Sequence, residues 1–167
     1  ELNNSSALNS LGYFYENGYG GEKDYKKAMQ YYESAAQMNN NDAFTNLGFL
    51  YEKGFGCEQD YTKAIYYYEL AAEQNNPLAL NNLGCLYEKG FGCEQDYTKA
   101  IYYYELAAEQ DNPLALNNLA LLYLHGNGVE KDYSKVIKYY SLSAEQNNSD
   151  ALYSLGDLFL NGCGVKK

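Results

Sequence analysis

Residues able to do covalent or acid–base chemistry are scarce in this chain: one histidine, His125, and four cysteines, Cys57, Cys85, Cys93 and Cys163. A single imidazole removes histidine-rich metal sites and leaves any Ser–His or Cys–His mechanism with one candidate base. His125 stands directly before Gly126 at the end of a helical pattern, where a cation suits the negative end of the helix dipole. It reads as a helix-end residue, and no catalytic residue, cofactor or metal is expected. The Gly-x-Gly pairs, such as Gly54 and Gly56, do not follow strands, so they are turns rather than nucleotide cradles.

Amides are the chemistry that recurs. Asn46, Asn82 and Asn118 share one position at an interval of 36 residues, with Ser10 and Ser154 at the ends. Asn81 and Asn117 form a second row, continued by Thr45. Carboxamides in a row can hydrogen-bond the backbone of an extended peptide, or they can bond a neighbouring repeat or water. A nearby position reads Tyr13, Phe49, Cys85, Leu121 and Asp157 while the framework stays fixed. It falls off the apolar stripe of its helix and is expected to face a groove, with Tyr13 and Phe49 as apolar anchors. Drift at a permissive site gives the same pattern. Glu52 and Glu88, with Lys53 and Lys89, are expected to edge that surface, and Leu124 and Leu160 replace the glutamates further on.

The elements carrying these side chains repeat. The stretch "YEKGFGCEQDYTKAIYYYELAAEQ" occupies residues 51–74 and returns unchanged at 87–110. Gly12, Gly48, Gly84 and Gly156 align at the same interval, with Ala120 in the fourth slot, and Asp24, Asp60, Asp96 and Asp132 are each followed by Tyr. The chain therefore divides into repeats at 4–39, 40–75, 76–111 and 112–147 with a partial fifth at 148–167, one array over 1–167. Each unit reads as two helices. Asn40, Asn76 and Asn112 cap helix A, with Pro77 and Pro113 at the first helical position, and Ala43, Leu47, Leu50 and Tyr51 mark its apolar face. Asp60 caps helix B, whose stripe is Ala64, Tyr67, Tyr68, Ala71 and Ala72. The alanines should let helix B approach helix A while the tyrosines fill the space between repeats. No strand pattern appears, and the fold class is all-α, built from 36-residue helix-turn-helix repeats.

Composition narrows the partners. With 12 Lys and Arg against 22 Asp and Glu the net charge is −10, which argues against nucleic acid and fits a basic partner or a solvated surface. No run approaches a membrane span. The chain starts at Glu1 and ends in "NGCGVKK", which reads as the turn into another helix. A monomeric fragment of a longer array is expected, its compartment undetermined.

Residues 79–113, "ALNNLGCLYEKGFGCEQDYTKAIYYYELAAEQDNP", resemble the Sel-like (suppressor-enhancer-of-lin-like) repeat through Ala79, Leu83, Gly84, Tyr87, Gly90, Gly92, Asp96, Lys99, Ala100, Tyr103, Tyr104, Ala107 and Ala108. Cys57 and Cys93 depart from it where the family has Val, as do Val136 and Ala120 where it has Ala and Gly. The resemblance implies a right-handed α-solenoid, a superhelix related to tetratricopeptide arrays, and a role as adaptor or scaffold. It implies a protein or peptide partner on the concave helix A surface, and we place the contact at Tyr13, Asn46, Phe49, Asn81, Asn82, Asn117, Asn118 and Leu121. One group of relatives staples repeats with cysteines eight apart, an interval shared by Cys85 and Cys93; four free thiols, favouring a reducing compartment, are the expectation here. The alternatives are a secreted hydrolase or cell-wall-ligand binder, as some relatives are proposed to be, and a structural spacer.

Overall fold

A computed structural model describes residues 4–161. Among the described residues are nine α-helices and no strand: α1 (Ser5–Asn17), α2 (Tyr25–Ala36), α3 (Asn41–Lys53), α4 (Tyr61–Ala72), α5 (Pro77–Lys89), α6 (Tyr97–Ala108), α7 (Pro113–His125), α8 (Tyr133–Glu145) and α9 (Ser149–Leu160). Odd-numbered helices are the helix A of each repeat and even-numbered ones the helix B. Two compact units form, Glu1–Ala79 with Phe91–Glu94 and Leu80–Gly90 with Gln95–Lys167.

Capping chemistry sets the boundaries. Asp24, Asp60, Asp96 and Asp132 each accept a backbone N–H three residues on, from Lys27, Lys63, Lys99 and Lys135, at 3.0–3.1 Å. Asn40, Asn112 and Asn148 cap α3, α7 and α9 in the same way, and Asn76 accepts from the N–H groups of Leu78 and Ala79. Even-numbered helices end without glycine. Asn39, Asn75, Asp111 and Asn147 take left-handed φ of 58°, 58°, 56° and 62°, a conformation their short polar side chains tolerate.

The tyrosines expected between repeats lie instead inside each hairpin. Tyr32, Tyr68, Tyr104 and Tyr140 are fully buried. A Cβ on Gly48 would come within 2.6 Å of the Tyr68 ring carbons, so only glycine leaves the notch in which that ring lies. The preceding tyrosine of each helix B stacks on helix A, as in Tyr51–Tyr67 and Tyr87–Tyr103 with centroids 5.6 Å apart. Lys63 and Lys99 cover these pairs, their Nζ atoms 5.0 and 4.8 Å from the Tyr51 and Tyr87 rings. Contacts of this kind are worth about 0.5–1.5 kcal/mol each beyond area burial.

Successive hairpins of the first unit meet through their glycine loops. Phe55 stacks on Tyr25 at 4.6 Å. Gly56, at φ 76°, brings the loop so close that a Cβ would lie 2.8 Å from the Tyr25 backbone. The loop glycines thus fix how one repeat follows the next.

Candidate functional site

Helix A side chains divide into those that hold the hairpin and those left over. The buried tyrosine hydroxyls donate to glutamates one turn beyond the glycine notch: Tyr32 to Glu16 at 2.5 Å, Tyr68 to Glu52 at 2.9 Å and Tyr104 to Glu88 at 2.7 Å. Burial, and then the neighbouring carboxylate, pushes the Tyr32 hydroxyl well above its usual range; for Tyr104 the causes are burial, Cys85 and Glu88. Glu52 and Glu88 are therefore parts of the hairpin lock, and both stay half-buried, Glu52 with Lys53 on its other oxygen. The sequence carries a signal for this, since the fourth repeat changes both partners together, to Ala120 and Leu124. There Tyr140 keeps its buried ring, but its hydroxyl has no hydrogen-bond partner among the described residues.

In the first unit the asparagine row joins repeats. Asn46 Nδ2 donates to Asn9 Oδ1 at 3.0 Å, a diagonal step from one repeat to the next. Phe49 is half-buried: it packs against the core beside Leu47 and Leu50, meets Phe55 edge-on at 5.9 Å and lies under Lys53, whose Nζ is 5.7 Å from the ring centroid. Tyr13 and Asp157 are the exposed members of that position, and the Tyr13 ring is 48% exposed and 5.8 Å from the Tyr19 ring.

The second unit repeats the diagonal. Asn118 Nδ2 donates to Asn81 Oδ1 at 3.1 Å and approaches Cys85 Sγ at 3.6 Å, while Asn81 Nδ2 donates to Asn82 Oδ1 at 3.3 Å. Asn81 is only 4% exposed, so its amide serves this network. Asn117 is half-buried, and its Oδ1 is enclosed without a partner. Leu121 packs partly against the cluster of Ala120, Tyr123, Tyr140 and Leu158. The structure thus joins Asn81, Asn82 and Asn118, whereas Phe49 and Leu121 lean on the core more than their off-stripe position suggested.

Three of the four cysteines fall among the described residues, and Cys57, Cys85 and Cys93 are thiols; Cys163 lies outside them. Cys85 Sγ lies 3.3 Å from the Tyr104 hydroxyl, whose one proton goes to Glu88, and burial pushes the Cys57 thiol up. His125 is exposed at the last position of α7, before the left-handed Gly126. No group of His, Cys, Asp and Glu among the described residues could hold a metal ion, and no helix there is long and apolar enough to cross a membrane.

A hairpin of two short helices, locked by Tyr on Gly and repeated along the chain, defines an all-α repeat protein of the solenoid class. The chain belongs to the Sel1 repeat family, matched at residues 5–40, 42–76, 77–112, 113–148 and 149–167. No curated protein matches the chain by sequence. Among solved structures it is similar to a Sel1 repeat protein from Oxalobacter formigenes, with 37% identity and a TM-score of 0.93 over 98% of this chain and 67% of that one. It is similar too to a protective antigen present in uropathogenic Escherichia coli strains, an SLR fold, with 34% identity and a TM-score of 0.89 over 97% of this chain and 35% of that one. Cysteine-rich protein B of Helicobacter pylori shares 28% identity at a TM-score of 0.62, over 80% of this chain and 96% of that one. The chain thus spans about a third of the E. coli antigen's length. Sel1 repeats commonly serve as protein-interaction scaffolds.

Proposed function

We propose that this chain is a non-catalytic scaffold that holds a partner protein or peptide on its helix A faces. The observation that carries this reading is the split between fixed and varied positions. Tyr32, Tyr68 and Tyr104 are identical and fully buried, whereas the position of Tyr13 changes in every repeat and leaves that ring 48% exposed. An exposed tyrosine ring is the kind of residue that can anchor a partner. In the first unit Asn46 keeps its carbonyl oxygen available beyond the bond to Asn9. In the second, Asn118 keeps a carbonyl oxygen and Asn82 an amino group. Extended backbone needs such acceptors and donors. Phe49 and Leu121 supply apolar flanks, and Asn81 and Asn117 stand behind the contact rather than in it.

Affinity capture with the full chain tests this reading, wild type beside a Tyr13→Ala/Asn82→Ala variant shown to keep its helicity. A partner retained by the wild type and lost by the variant supports the helix A faces as the working surface. Equal retention moves the contact elsewhere, and selective retention by neither favours a spacer.

A further inference from the structure

We infer that the second unit carries a separate groove, on its helix B side, that takes an arginine side chain from a basic partner segment. A cavity of about 420 Å³ opens between α6 and α8 over α7. Leu116 and Leu142 give it apolar walls, Glu105 and Glu109 stand on one rim, and Lys138 and Tyr139 on the other. The two glutamates are a turn apart at the C-terminal end of α6, Glu109 being its cap; both are exposed, and neither forms an ion pair among the described residues. Lys138 holds its Nζ 5.6 Å from the Tyr139 ring centroid, so one cation already rests on that aromatic face. Burial, then the charges of Tyr123 and Glu105, raises the Tyr139 hydroxyl, which places the Glu105 carboxylate in the same local field.

Charge and shape together select the occupant. Two carboxylates face one ammonium that the ring already engages, on a chain of net charge −10, so an incoming cation is favoured over an anion. Arginine matches the mixed walls. Its stem packs on Leu142 above the buried Leu116, and its planar guanidinium bonds a carboxylate in two places, the Tyr139 ring being already engaged by Tyr123 and Lys138. The second and third repeats carry Tyr66 and Tyr102 where the fourth has Lys138, and the second has the bulkier Phe44 where the fourth has Leu116. The groove is thereby particular to the second unit and independent of the helix A faces, so either reading can fail alone.

The test is a titration of the full chain, methyl-labelled at leucine, followed by NMR. The probe is the peptide acetyl-Ser-Arg-Leu-Ser-amide, compared with the same peptide carrying citrulline, the neutral isostere, in place of arginine. We expect saturable shifts centred on the Leu116 and Leu142 methyls with the arginine peptide, weakened by salt. The citrulline peptide and the Glu105→Gln/Glu109→Gln variant should each bind at least about tenfold more weakly. Equal binding of the citrulline peptide, equal binding by the variant, shifts centred elsewhere, or no saturation at millimolar peptide would each overturn the inference.

Discussion

In the α3–α4 hairpin the Tyr68 ring lies in the notch of Gly48 and its hydroxyl donates to Glu52. In the α7–α8 hairpin Ala120 fills that notch, Leu124 stands in the glutamate's place, and the buried Tyr140 hydroxyl has no partner among the described residues. Burial raises the Tyr140 hydroxyl and the approach of the Ser154 side chain lowers it, but that approach falls short of hydrogen-bond geometry and does not replace the glutamate. The difference separates two sources of stability that the earlier repeats combine. Shape alone keeps Tyr140 inside, while shape and a charge-assisted hydrogen bond hold Tyr68. It also marks which helix A glutamates, those tied to a buried tyrosine, take part in holding the hairpin.

Removing a framework ring should have the largest effect. Tyr104→Ala empties a fully buried site and leaves Glu88 without its donor, and a loss of about 3–5 kcal/mol in urea unfolding is expected. Alkaline pH probes all the buried rings at once. The raised hydroxyls of Tyr32 and Tyr104 contribute stability that is complete below the usual tyrosine value of 10.0 and declines as pH rises above it, because the unfolded chain ionises first. The share of tyrosinate absorbance that belongs to these buried rings, isolated by difference against a Tyr32→Phe/Tyr104→Phe variant, should therefore rise together with the loss of helical circular dichroism. These two rings ionising in an intact helix would break the account. Gly48→Ala forces a methyl into the Tyr68 ring and should cost about 1–3 kcal/mol, whereas Ala120→Gly, in the hairpin already relaxed around a methyl, should change stability by less than about 1 kcal/mol. Asp96→Ala, which removes only the α6 cap, should lower thermal stability by about 1 kcal/mol.

Local chemistry was legible in the sequence and long-range pairing was not. Asp60 and Asn40 announce their helices because a cap needs only the three residues that follow it. Glu52 and Tyr68 are 16 residues apart on different helices, and their contact depends on which face of α3 meets α4. Apolar periodicity cannot resolve that when the contact pairs a glycine with a polar side chain. The asparagine rows show the same limit. Aligning equal positions suggested straight ladders, but the bonds run from Asn46 to Asn9 and from Asn118 to Asn81, one position off the repeat interval. That offset is a property of how neighbouring repeats pack, and no single-repeat pattern encodes it.

The most direct test compares Tyr68→Phe with Tyr140→Phe by urea unfolding of the full chain. Tyr68→Phe should lose about 1–3 kcal/mol, because it leaves the Glu52 carboxylate without its buried donor. Tyr140→Phe should be neutral or stabilising, because it removes a buried hydroxyl that makes no hydrogen bond among the described residues. Equal losses in the two variants would contradict the account, showing that the glutamate lock adds nothing to the ring in its notch.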